Sequence, residues 1–319
     1  MLHLVAHQQR KIEFSKLVEK ASQSLDRLDR VVEKLLDMER IRSLSWLSSA
    51  KPSDRQHSLR VKIERDNPKS GKWFLTSREF SSWQKCPGSF LWLNGVSGCG
   101  KSSLCSTIIN SLIQSAAPQG PILAYWYFDN GNPKTQDLRA LLRYLLRQVA
   151  ASADVFPKDV RNLVSKHEGA GSEPSLGELQ LTLQQTVSGL KREILIVMDA
   201  IDEYPADRTV DRRHDLLTLI TNLVKEKLGN LHILVTSIDE RDIHDAFHSM
   251  ESPPVEQDVE PLLLDDVSSF VEATVHRYSL LKSWWTSDIK DKIIGSLKAD
   301  DSRSDSPPPC SMFTPLTHP

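Results

Sequence analysis

The sequence predicts an α/β protein whose parallel sheet is covered by helices on both faces. Three observations carry this expectation. Four apolar runs, 90–93, 122–128, 194–198 and 231–235, alternate with stretches of helical periodicity, and strands buried on both faces of a parallel sheet read as uninterrupted apolar runs. Directly after the first run stands Gly95-Val96-Ser97-Gly98-Cys99-Gly100-Lys101-Ser102, followed by Ser103, a complete phosphate-binding loop set between a strand and a helix. The third run ends on an acid, Asp199, with Asp202 and Glu203 three and four residues later.

Taken in chain order, the first element is helical. From about residue 8 to 47, Ile12, Leu17, Val18, Leu25, Leu28, Val31, Val32, Leu35, Leu36, Ile41 and Leu44 recur at three and four residues between charges. That is the pattern of one long amphipathic helix or two shorter ones. A segment of this size, 1–50, cannot build a core alone; it either packs on its own domain or forms the stub of a signalling or oligomerising region. Residues 51–58 and 66–72 are polar, contain Pro52, Pro68 and Gly71, and read as linkers. Later in the same stretch, 51–89, Thr76 and Glu79 stand at capping-box spacing ahead of Phe80 and Trp83, which predicts a short helix. The nucleotide-type domain is expected over 90–260. Leu104, Ile108, Ile109, Leu112 and Ile113 make the helix after the loop amphipathic, and 139–149, 176–190 and 216–228 supply the crossovers. A helical extension is expected over 261–300, within which 262–275 and 289–297 look helical. Residues 301–319, rich in Ser and Pro, are expected to be a disordered tail.

Composition narrows the class. With 319 residues, a net charge of −2 and a pI near 6.6, and with no dense Lys/Arg block, nucleic acid is not an expected partner. Apolar runs such as 194–198 are far too short to span a bilayer, and the first residues lack a signal peptide's features. The expectation is a soluble, cytoplasmic protein without a membrane partner. Cys86, Cys99, Cys105 and Cys310 form no C-x-x-C pair, which argues against a disulfide framework and a zinc site. His244 and His248 lie at i, i+4 beside Asp245, a spacing that can hold a metal, but no third ligand is in view and they read as solvated surface; His3 and His7 read the same way. Gly95-Val96-Ser97-Gly98-Cys99 begins like a nucleophile elbow, yet Cys99 stands where the closing Gly is required, which excludes a serine hydrolase.

The chemistry follows from the spacing. Gly95 and Gly100 let the backbone wrap a phosphate, so that the amides of Val96, Ser97, Gly98, Cys99 and Ser103 point inward at a helix N-terminus. Lys101 would reach the β- and γ-phosphates and Ser102 would place its hydroxyl on Mg²⁺. A magnesium-nucleotide site also needs a carboxylate behind the metal and an acid to orient water. Asp199 is the candidate for the first, and Asp202 or Glu203 for the second. The run 231–235 leads into Thr236 and Ser237; if that strand lies between the two motif strands, Thr236 is the candidate sensor of the γ-phosphate.

The order phosphate loop, then Asp199-Ala200-Ile201-Asp202-Glu203 after a hydrophobic strand, then Ile233-Leu234-Val235-Thr236-Ser237 resembles the NACHT-type NTPase domain of the signal-transducing STAND class. It is most similar to the form found in fungal NOD-like proteins and in the nephrocystin-like N-terminal domain. Trp46-Leu47-Ser48, Gly71-Lys72-Trp73-Phe74-Leu75 and Phe90-Leu91-Trp92-Leu93-Asn94-Gly95 add to the likeness, which covers roughly residues 40–298. The resemblance implies a P-loop NTPase fold with sheet order 2-3-4-1-5. It also implies Mg²⁺ with ATP or GTP, weak hydrolysis, and a switch that oligomerises when loaded with triphosphate. No Asn-Lys-x-Asp guanine-reading motif occurs, which tilts the base toward adenine.

Three departures from the family pattern stand out. Ile238 occupies the place where members usually carry a γ-phosphate-sensing Arg, with Arg241 the nearest substitute. Ala200 replaces a common Gly. The Ser/Pro tail follows Lys298 in place of the family's helical and winged-helix domains, which suggests a truncated product. The leading expectation is therefore the nucleotide switch of a NOD-like signalling protein, associating with itself or with full-length homologues through the N-terminal helix. A rival is a non-catalytic interaction module, or remnant, that binds full-length relatives. A P-loop kinase would need an Arg-bearing lid; Arg208, Arg212 and Arg213 follow the acid cluster but read as a solvated loop.

Overall fold

Five strands pair in one sheet, β1 (Phe90–Asn94), β2 (Ile122–Tyr127), β3 (Ile194–Asp199), β4 (Leu231–Ser237) and β5 (Val255–Asp258), in the order β2-β3-β4-β1-β5 with every pairing parallel. The computed structural model describes residues 2–48, 52–205, 212–262 and 266. The three inner strands are buried along their whole length, which is why they read as continuous apolar runs. The two edges differ. Along β2 the Gln148 side chain caps the free backbone of Tyr125, accepting from its N–H at 3.2 Å and donating to its carbonyl at 3.0 Å; β5 exposes Glu256 and Asp258, charges that discourage further strand pairing.

Register fixes the site. Leu93 pairs with Thr236 and Asn94 with Ser237, Met198 with Val235, and Tyr127 with Asp199. The C-terminal ends of β1, β3 and β4 are therefore level, and β1 runs straight into the phosphate loop.

The helices are α1 (Leu2–Leu47), α2 (Pro52–Asp66), α3 (Arg78–Lys85), α4 (Lys101–Gln114), α5 (Leu138–Ser152), α6 (Lys158–Glu168), α7 (Leu176–Gly189), α8 (Arg212–Lys225) and α9 (Arg241–His248). The chain divides into two units, Met1–Leu47 and Ser48–Pro319. The first is α1, one helix rather than two, with Leu25, Leu28, Val31, Val32, Leu35, Leu36, Met38 and Ile41 exposed. In the second, α4 lays Leu104, Ile108, Ile109 and Leu112 against Leu91, Leu93, Leu195, Val197 and Leu234 of the sheet, with Phe74, Phe80 and Trp83 closing the flank. Elsewhere Phe247 of α9 meets Phe90 and Trp92 edge-on at 5.0 and 5.3 Å.

Two expectations, one for a linker and one for a helix cap, are corrected. Of the stretch 51–58, residues 52–58 are not a loop: α2 begins at Pro52, which is tolerated in a first helical turn, and continues to Asp66 with an Arg60–Glu64 pair at i, i+4. Its anchor is polar, so no apolar stripe betrayed it: buried Gln56 donates to the Ser106 carbonyl at 3.0 Å and accepts from the Tyr127 hydroxyl. The cap of α3 is Ser77, whose Oγ accepts from Phe80 N–H at 3.1 Å, not Thr76. Of the expected extension 261–300 only Pro261, Leu262 and Asp266 are described, and the expected tail 301–319 lies outside the described residues.

Candidate nucleotide-binding site

The phosphate loop sits where β1 hands over to α4. Gly100 is the residue before the helix and holds φ +113°, a left-handed backbone that side-chain-bearing residues rarely adopt. Gly95 holds φ +153°, and a Cβ there would stand 3.2 Å from Cys99 Sγ and 3.4 Å from the Glu260 amide nitrogen, so a larger residue would be strained and would have to push the Cys99 sulfur aside. Lys101 is buried at 9% exposure and its Nζ donates to the carbonyls of Gly95 at 2.6 Å and Val96 at 2.7 Å. The ammonium thus ties the loop into a ring. Val96, Ser97 and Gly98 form its exposed rim, while Ser102 and Ser103 are half-buried.

Asp199 closes β3 and is 2% exposed. Burial pushes its carboxyl above the ordinary range; hydrogen bonds from Thr236 and Ser102 pull the other way, and the nearby Asp202 charge adds to the rise. Thr236 is wholly buried. Its hydroxyl donates to Asp199 Oδ1 at 2.7 Å and accepts from the Ala200 N–H at 2.8 Å. That hydroxyl orients the acid. Ala200 itself is held at φ +57°, ψ +54°, one of two non-glycine residues with positive φ among those described.

A single short helical turn, Ile201–Glu203, carries the two remaining acids. Burial raises the Asp202 carboxyl, while Lys101, the backbone N–H of Ile238 and Arg213 hold it down. Its Oδ1 is buried and has no hydrogen-bond partner among the described residues, a cost tolerated mainly where a ligand or water completes the group. Glu203 is likewise raised by burial and by the neighbouring acids, although the Asn130 N–H, donating at 2.8 Å to Oε2, opposes the shift.

One residue that reads as solvated in the sequence is not. Arg213 is 5% exposed, donating to the Tyr204 carbonyl at 3.0 Å, to the Asp202 carbonyl and to the Glu240 carboxylate. A run of three arginines around an undistinguished loop gave no signal of this; only tertiary placement does. Arg208 lies outside the described residues. His244 and His248 stack face to face at 4.0 Å beside Trp92, and among the described residues no group of three His, Cys, Asp or Glu side chains is placed to hold a metal.

The donor set at the loop is all oxygen: the Ser102 hydroxyl, the buried Asp199 carboxylate and the orphaned Asp202 Oδ1. Such a set fits a hard divalent cation of the Mg²⁺ type, which takes few protein ligands and completes its shell with water and phosphate oxygens.

Residues 69–238 match the family model of Nephrocystin 3, N-terminal. Among solved structures, the chain is similar to Drosophila ORC bound to DNA at 13% identity and a TM-score of 0.34, over 65% of this chain and 45% of that one. It is similar to Aeropyrum pernix ORC1 in complex with DNA at 18% and 0.35, over 72% and 52%. AMPPCP-bound DnaA from Aquifex aeolicus gives 10% and 0.35, over 75% and 66%. The chain thus spans about half to two thirds of the length of these solved chains. No curated protein matches the sequence. The exclusion of nucleic acid is corrected: two of the similar structures hold DNA, and a near-neutral charge is by itself no ground for ruling that partner out. Net charge is a sum, and a local field can oppose it. Among the described residues no helix is long and apolar enough to cross a membrane.

Proposed function

The chain belongs to the Nephrocystin 3 N-terminal family, and from that premise we infer that it binds a nucleoside triphosphate with Mg²⁺ and hydrolyses it slowly. In this reading it is the nucleotide switch of a NOD-like signalling protein of the NACHT type, in its fungal form. The coarser part, a nucleotide-binding P-loop NTPase fold, is already given by the parallel sheet, the loop and the family. The observation that supports Mg-nucleotide binding and hydrolysis is the convergence of Lys101, Ser102 and buried Asp199 at level strand ends, with Asp202 Oδ1 left unpaired beside them; the switch role rests on the resemblance of the motifs.

In this reading the loop amides and Lys101 bind the phosphates, Ser102 and Asp199 hold the cation, and Thr236 keeps Asp199 oriented. When bound, Mg²⁺ supplies neutralisation of phosphate charge. Asp202 or Glu203 positions the attacking water; burial raises both carboxyls above their ordinary values, which makes each a better proton acceptor than an exposed carboxylate. The base, ATP or GTP, is read out by the same experiment that tests the assignment: equilibrium binding of fluorescent ATP and GTP with Mg²⁺ to the wild type and to Lys101→Ala. Binding lost in the variant supports the assignment, and unchanged binding sinks it. Glu203→Gln is expected to slow hydrolysis while leaving binding intact.

A second reading, binding without turnover, is favoured by one observation. The residue after Thr236 and Ser237 is Ile238, which brings no cation to charge developing on a transferred phosphoryl group. Tight binding of the triphosphate with no release of phosphate would select it.

A further inference from the structure

Arg213 lies in the first turn of α8. A cation there is opposed by the helix dipole, and a buried guanidinium is retained only where its donors are met. They are met by two different segments. From one side come the carbonyls of Asp202 and Tyr204, the latter at 3.0 Å, which flank Glu203 in sequence. From the other come the carboxylates of Glu240 and, at 3.4 Å, Asp242, just beyond the end of β4. One planar fork therefore bridges the chain leaving β3 to the chain leaving β4, the two strands whose ends supply Asp199 and Thr236. Its hydrogen-bond partners among the described residues all lie outside the phosphate loop. It also draws Asp202 toward its ionised form, against the burial that raises it.

We propose that Arg213 is a positioning residue for hydrolysis: it fixes the backbone of the Ile201–Glu203 turn that carries both candidate water-orienting acids, and leaves nucleotide affinity to the loop. This rests on the hydrolytic reading above. A merely structural arginine would, when removed, lower stability, affinity and turnover together. A positioning arginine separates them, because the groups that bind phosphate stay in place while those that act on water do not.

The test uses the full chain as wild type, Arg213→Gln and Arg213→Lys, read by Mg-ATP affinity, phosphate release and amide hydrogen exchange. In Arg213→Gln turnover should fall by about tenfold or more while the dissociation constant holds within about threefold, and exchange should rise at 200–205 without rising across β1, β3 and β4. Arg213→Lys keeps the charge without the fork and should fall between the two. A drop smaller than this, or a parallel loss of affinity with exchange rising across the whole sheet, overturns the proposal. If the wild type releases no phosphate, the hydrolytic reading fails by itself, and exchange decides the remainder: a selective rise at 200–205 supports Arg213 as the anchor of the turn, and an unchanged turn overturns it.

Discussion

Ala200 carries a backbone cost at the centre of the site. Its φ of +57° and ψ of +54° place an L side chain where Cβ crowds the following carbonyl, at about 1–2 kcal/mol, and the conformation persists because it turns the Ala200 N–H onto Thr236 Oγ. Replacing Ala200 with Gly removes the crowding and adds some unfolded-state entropy. A net gain of about 1 kcal/mol in urea unfolding is expected, with nucleotide binding retained; a loss of stability would refute the assigned strain. Asp199 shows the opposite economy. Burial raises its carboxyl, and those of Asp202 and Glu203 rise with it. A group whose folded pKa exceeds its unfolded value contributes stability that is whole below the unfolded value and is lost as pH rises through the folded one. The unliganded protein should therefore lose this contribution as pH climbs from the acid side of the carboxylate range toward neutrality. Asp199→Asn removes one of the three groups, so at pH 7 it should be the more stable unliganded protein, with a flatter stability profile on the same titration and no Mg²⁺ enhancement of nucleotide binding. Equal profiles for the two proteins would show that Asp199 is not the buried charge responsible.

Among the elements, α2 is held by hydrogen bonds more than by apolar contact. Burial pushes the Tyr127 phenol far up, so its hydroxyl stays a donor, and Gln56 both accepts from it and donates to the Ser106 carbonyl. Gln56→Ala takes the acceptor from the buried Tyr127 hydroxyl and one donor from the Ser106 carbonyl, and a loss of about 1–3 kcal/mol is expected, read by urea unfolding and by exchange rising along 52–66; an unaffected α2 would mean that its anchor lies elsewhere. The same helix marks the limit of what the sequence discloses. Strands β1, β3 and β4 were legible because burial on both faces leaves mostly apolar residues, and the loop, Asp199 and the acid pair stood out because their spacing is the one that phosphate and metal chemistry would require. Helix α2 was not, since its buried positions are Pro52, Gln56 and Asp66, and neither was Arg213, whose partners are backbone carbonyls and acids distant in sequence. The chemistry of Thr236 was half legible: the residue was found, but the direction of its hydroxyl depends on the parallel register that sets β4 beside β3.

At the scale of the whole molecule, the division of the chain into Met1–Leu47 and Ser48–Pro319 bears directly on where nucleotide binding resides. Every residue assigned to the site, from Gly95 through Lys101, Ser102 and Asp199 to Thr236, belongs to the second unit, and so does the core cluster beneath it, from Phe74 to Val259. The first unit is a helix with a broad exposed apolar face, and no residue of the site comes from it. A ligand that binds only the folded state stabilises it by mass action, by about 2.7 kcal/mol at a hundredfold excess over its dissociation constant. In a domain of this size that is a rise in Tm of roughly 5–10 °C. Residues 48–319 alone should show the same Mg-nucleotide-dependent rise as the full chain, and Lys101→Ala should abolish it in both. A rise seen only in the full chain would place part of the binding energy in α1 and require a site that draws on both units.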